Sequence, residues 1–137
     1  RDLRMSRGLG DVYKRQEQVH VWRRSYATIP PALDIDDRRH PRLDPRYAEL
    51  TADELPAAES LEMTIARVRC CWEERITDAL RHYGDVLVAA HGNSLRGLAM
   101  MLKKMTPEEV TDLEIPTGSP WIFDLDSDLS LKKDYYL

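Results

Sequence analysis

The chain is poor in cysteine, in long apolar runs and in surplus positive charge, and each shortage closes off a class of protein. Its only cysteines, Cys70 and Cys71, are sequence neighbours. With no second pair to match them, neither a disulfide framework nor a zinc site is indicated, and two reduced thiols on a helix are expected. No apolar stretch approaches the ~20 residues that cross a bilayer, so no membrane span and no membrane partner are expected. The opening "RDLRMSRGLG" has cations but no apolar segment behind them, which is not the form of a secretory signal. A cytoplasmic location is the expectation. Twenty Lys and Arg stand against 24 Asp and Glu, a net charge of −4. That balance argues against a nucleic-acid partner, which calls for a basic face along the phosphates. It leaves room for a small phosphorylated ligand, which a few well-placed arginines can hold.

What is present reads as one modest domain of 137 residues, short for a complete α/β enzyme. Residues 1–16, "RDLRMSRGLGDVYKRQ", carry no helical or strand period, and the character of the chain changes at Glu17. They are read as a non-native leader resembling translated adapter sequence, with the domain occupying 17–137. A short helix over "EQVHVWRRSY" comes first. A proline-rich passage from Ile29 to Pro56 comes next, with a helical turn expected near Tyr47 to Leu50. A loop of this length inside a domain is a lid or binding loop or is disordered, and Leu33, Ile35, Leu43, Tyr47 and Leu50 favour a lid that docks.

Leu61, Ile65, Val68, Trp72, Ile76 and Leu80 then recur at spacings of three and four, the stripe of an amphipathic helix, with Gly84 as its stop. Asp85 to Ala90 is too apolar to alternate and reads as a buried strand of a parallel sheet covered on both faces. A second helix is expected to be capped by Asn93 or Ser94 and to end at Lys103 and Lys104. "TPEE" at 106–109 has the form of a capping box with proline at the first helical position. Trp121 to Leu125 and Leu131 to Leu137, flanking "DSDLS", read as two strands joined by a turn.

The chemistry gathers at "AAHGNSLRG". In an open α/β sheet, ligands bind where strands end and the positive poles of the following helices point. His91 stands at that junction, with Gly92 permitting close backbone approach and Asn93 adding an amide. An imidazole there can stabilise charge on a transferring phosphoryl group; equally, it can be a core histidine that ends a strand. Arg23 and Arg24 can each grip a phosphate or carboxylate, or simply form a solvated helix end. His20, His40 and His82 have no ligand-like spacing, so no metal is assigned. Glu59, at the start of the long helix, needs no explanation beyond the positive pole of that helix.

Taken in order, "VHVWRRSYATIPPALDIDDRRHPRLDPRYAEL", "LPAAESLEMTIARV", "AAHGNSLRGL", "EIPTGSPWIFDLD" and "DYYL" resemble the C-terminal half of cofactor-dependent phosphoglycerate mutases, within the histidine phosphatase superfamily. The resemblance implies a three-layer α/β/α sandwich around a mostly parallel sheet, its N-terminal strands missing from this sequence. It implies interconversion of 2- and 3-phosphoglycerate through a phosphohistidine enzyme primed by 2,3-bisphosphoglycerate, with no metal, in a homodimer or homotetramer. Carried over, His91 is the second, transition-state-stabilising histidine. Gly92 and Asn93 contact phosphate or substrate, and Arg23 and Arg24 clamp the substrate's carboxylate and phosphate. The proline-rich passage would cover the pocket. The sequence departs from that pattern: the nucleophilic histidine belongs to an Arg-His-Gly motif, and none occurs here, the general acid/base glutamate and a further arginine would also lie upstream of residue 17, and a lysine expected just before the "EQV" helix would fall at Tyr13. This polypeptide is therefore expected to be inactive by itself. Two other readings are a phosphatase of the same superfamily acting on another phosphorylated metabolite, and a non-catalytic anion-binding fragment.

Overall fold

The computed structural model describes residues 15–51 and 54–137. Most of the leader expected over 1–16 lies outside them, although Arg15 and Gln16 are helical. The chain divides between Ser60 and Leu61 into two compact units.

In the first unit, helix α1 covers residues 15–24, with only Trp22 half-buried. Beyond it, proline sets the local conformation. Two 3-10 turns form at Pro41–Leu43 and Pro45–Tyr47. Each has proline at its first position, where a fixed φ suits the turn and the missing N–H costs nothing. His40 caps the first turn, its Nδ1 accepting from the Arg42 N–H at 3.2 Å, and Asp44 caps the second, accepting from the Arg46 N–H at 3.0 Å. The helical turn expected near Tyr47 to Leu50 is present, following directly on the second 3-10 turn: the Leu50 N–H donates to the Tyr47 carbonyl at 3.0 Å. The Leu33 N–H donates to the Ala57 carbonyl at 3.1 Å and closes the passage on itself. Arg39, Arg42 and Arg46 pair with Asp37, Asp36 and Asp44 along it. Of the five apolar residues expected to dock, Leu33 is half-buried while Ile35, Leu43, Tyr47 and Leu50 are exposed.

In the second unit, α2 (Leu61–Cys71) runs through a π-helical segment, Trp72–Ile76, into α3 (Thr77–Tyr83). The π segment has a cause in the sequence. Val68, Trp72, Ile76 and Leu80 are spaced four apart three times running, and in an α-helix each such step drifts about 40° around the axis. A widened turn keeps all four half-buried. Gly84 ends α3 at φ 83°, its N–H donating to the Leu80 carbonyl at 2.9 Å. Helix α4 (Gly92–Lys103) packs on α2 across Gly97, where an added Cβ would stand 3.1 Å from Ile65 Cγ1 and 3.4 Å from Ile65 Cα. Among the described residues, Leu61, Ile65, Ala99 and Val110 are the buried apolar side chains of a small core.

Helix α5 (Pro107–Asp112) opens with the expected capping box: the Thr106 N–H donates to Glu109 at 2.7 Å, and the Glu109 N–H donates to Thr106 Oγ1 at 3.2 Å. Strands β1 (Trp121–Leu125) and β2 (Leu131–Tyr136) pair antiparallel. Asp134 ties this hairpin to α4, accepting from Lys103 Nζ at 2.8 Å and Trp121 Nε1 at 2.9 Å. The Lys103 ammonium, and then the indole N–H, hold its carboxyl below the usual range.

The sheet differs from the expected one. Among the described residues it has these two antiparallel strands and no parallel pair. Residues 85–90 join no ladder, and Leu87 is 91% exposed. An apolar run becomes a buried strand only where other strands flank it and helices cover it, and the described residues supply no flanking strand. The result is a mixed helix and strand architecture compatible with an α/β fold.

Candidate functional site

The site is built around the beginning of α4. Gly84 releases the chain from α3, residues 85–90 carry it onward, and His91, in extended conformation at φ −78° and ψ 156°, turns it into the helix. His91 is itself the cap residue: its carbonyl accepts the Leu95 N–H at 3.0 Å, while its imidazole makes no capping hydrogen bond. This corrects the expected cap at Asn93 or Ser94, both of which already lie inside the helix. A serine or asparagine cap would have used its side chain to occupy a first-turn N–H. With histidine there, the opening N–H groups and the positive pole of a twelve-residue helix keep no side-chain cap.

His91, Gly92 and Asn93 are all exposed at this end. An anion approaching it meets backbone N–H donors, the imidazole and the Asn93 amide together. Gly92 is not required by backbone conformation; an added Cβ would meet only Arg96 Nη1, at 3.6 Å. What glycine contributes is an unobstructed path to the first-turn backbone. Sequence reasoning passed over Arg96. Its Nε donates to the Leu113 carbonyl at 2.8 Å, and its Nη1 donates to Asn93 Oδ1 at 3.1 Å. The first bond anchors α4 beyond the end of α5. The second occupies the Asn93 carbonyl oxygen and leaves its NH2 as the donor for a ligand. The signal was the three-residue spacing of Asn93 and Arg96, which puts neighbours on one helix face.

The other anticipated residues belong to the first unit. Arg23 and Arg24 occupy the last two described positions of α1, and both are exposed. Adjacent positions on a helix diverge by about 100°, so the two guanidiniums start from different sides of it. Glu59 is half-buried in that unit. The structure thus gathers three of the five anticipated site residues, His91, Gly92 and Asn93, at one helix terminus. His40, given no role from sequence, is 5% exposed and caps a turn. Cys70 and Cys71 are free and exposed. No helix among the described residues is long and apolar enough to cross a membrane.

Helices and a two-stranded antiparallel sheet, with an exposed histidine at a helix N-terminus that has no side-chain cap, are compatible with an α/β fold. Residues 31–133 match the histidine phosphatase superfamily (branch 1). The match covers most of the chain, includes the helix terminus bearing His91, and places this protein in that superfamily.

Proposed function

We propose that this chain serves phosphoglycerate mutase chemistry, the interconversion of 2- and 3-phosphoglycerate, and that it supplies the second-histidine side of the site. The uncapped N-terminus of α4 beneath the His91 imidazole carries this reading. Those donors suit a phosphoryl group, whose charge in transfer spreads over its equatorial oxygens. In the proposed mechanism the Gly92 and Asn93 N–H groups and the Asn93 amide hold the phosphoryl oxygens, with Arg96 fixing that amide. His91 donates to the oxygen on which charge grows. The family resemblance assigns the substrate's carboxylate and phosphate to Arg23 and Arg24. The same donors fit 2,3-bisphosphoglycerate, which when bound supplies the phosphoryl group that primes the enzyme.

Because the sequence has no Arg-His-Gly motif, the nucleophile implied by the family resemblance is not among residues 1–137. A transition-state donor cannot replace a nucleophile, so the chain is expected to bind substrate without turning it over. Calorimetric titration with 3-phosphoglycerate and with glycerol 3-phosphate tests the reading. A mutase site built to hold the carboxylate favours the first by about tenfold, the effect of one charge-assisted contact. Equal affinity would mean that the carboxylate goes unread, and the chemistry would then be that of a superfamily phosphatase with another substrate.

A further inference from the structure

We propose that His40 is a pH-sensitive latch: taking up a proton releases the first 3-10 turn of the proline-rich passage while the second turn holds. The latch lies within the first unit and does not depend on the phosphoglycerate reading. His20, His82 and His91 are exposed, whereas His40 is buried, and its Nδ1 accepts the Arg42 N–H at 3.2 Å. Only a neutral imidazole with its proton on Nε2 can accept there. A second proton makes Nδ1 a donor facing another donor, and the Arg42 N–H is left without its partner.

The charged groups around this ring do not rescue the bond. Asp37 interacts with the imidazole through space and would tolerate its positive charge, but both its oxygens are already taken by Arg39. Oδ1 accepts from the Arg39 backbone N–H at 2.8 Å and from Nε at 2.9 Å, and Oδ2 accepts from Nη2 at 2.6 Å. Arg42 reaches back with Nε to the Ile35 carbonyl and with Nη2 to Asp36 at 2.8 Å. Losing the cap therefore loosens residues 35–42 from both ends. The next turn is an internal contrast. It also begins with proline and is closed in the same manner, by Asp44 accepting from the Arg46 N–H at 3.0 Å. A carboxylate in that place stays an acceptor through the whole range in which imidazoles titrate. Two turns of one design thus carry caps that fail at different acidities.

Amide hydrogen exchange and nitrogen NMR of the full 137-residue chain, between about pH 8 and pH 5, test the proposal. Corrected for the intrinsic effect of pH, exchange at the Arg42 amide should quicken about tenfold on acidification, the loss of one hydrogen bond. The Arg46 amide should not change. The His40 Nδ1 resonance should pass from acceptor to protonated over the same interval. In His40→Asn the side-chain oxygen accepts the same N–H and has no proton to gain, so Arg42 should stay protected throughout. His40→Ala should leave it unprotected even at the alkaline end. The proposal is overturned by an Arg42 amide that keeps its protection while Nδ1 protonates, or that loses it at a different midpoint from Nδ1; both are read on the unaltered chain. Arg42 and Arg46 quickening together, or a wild type and His40→Asn that respond alike, would overturn it as well.

Discussion

Arg96 donates through Nη1 to the Asn93 carbonyl oxygen one helical turn before it, and through Nε to the Leu113 carbonyl. One guanidinium therefore both anchors α4 and orients an amide beside His91. Arg96→Lys keeps the charge but cannot make both directed bonds. It should cost about 1–2 kcal/mol in urea unfolding and weaken phosphate binding severalfold. The binding loss should exceed that of Arg96→Lys in an Asn93→Ala background, which would isolate the coupling between the two residues. Strictly additive losses would contradict the positioning role.

At Gly97 helix α4 lies close against α2. A methyl group there would meet Ile65 Cγ1 at 3.1 Å and the Ile65 backbone at 3.4 Å. Overpacking of this kind costs about 1–3 kcal/mol, against about 1 kcal/mol gained in helix propensity. Gly97→Ala should therefore be neutral to destabilising, and Gly97→Val clearly destabilising, by thermal unfolding. A stabilised Gly97→Val protein would mean that the interface is looser than described.

The capping box offers a local comparison. Thr106→Ala leaves the Glu109 N–H without its side-chain acceptor and should cost about 1 kcal/mol, while Thr106→Ser should cost far less. Hydrogen exchange at the α5 amides reports which holds. Equal protection in both variants would show that the cap contributes nothing.

Acid should loosen the carboxylate-held turns of the proline-rich passage late. Hydrogen bonds from the Arg46 side chain and backbone pull the Asp44 carboxyl down to about 2, and Arg39 holds Asp37 still lower. Because both values are depressed on folding, the carboxylates support the turns fully above the ordinary carboxylate range. That support fades as pH falls toward 2. NMR of the Arg46 amide should show a titration near pH 2 and none near the ordinary carboxylate value of about 4. A midpoint at that ordinary value would mean that the ion pair does not form in solution.

Much of the second unit is legible in the sequence because its signals are local. "TPEE" contains its own cap, Gly84 its own stop, and "DSDLS" its own turn, so each is decided by a few neighbouring residues. Residues 85–90 are different: an apolar run becomes a strand only beside other strands, and that is a property of distant chain. The cap of α4 is misleading in sequence because Asn93 and Ser94 have the propensity, yet helical geometry has already begun at Gly92. The π segment is written in three successive four-residue spacings, a pattern that a stripe read only for threes and fours overlooks. Of the site, His91, Gly92 and Asn93 follow from one motif, while Arg96 emerges only from its bond to a carbonyl seventeen residues away.

Absence of the Arg-His-Gly motif sets a chemical limit. Incubation with labelled 2,3-bisphosphoglycerate should leave no acid-labile phosphate on this chain. Labelling of any of its four histidines would show that a nucleophile had been overlooked.

The most direct measurement is an amide NMR titration of this chain with 3-phosphoglycerate, repeated on His91→Ala. A phosphoryl group received at the start of α4 should shift the Gly92, Asn93 and Ser94 amides, with the affinity falling about tenfold in the variant, the loss of one charge-assisted hydrogen bond. Shifts confined to other regions, or an unchanged affinity in His91→Ala, would contradict it.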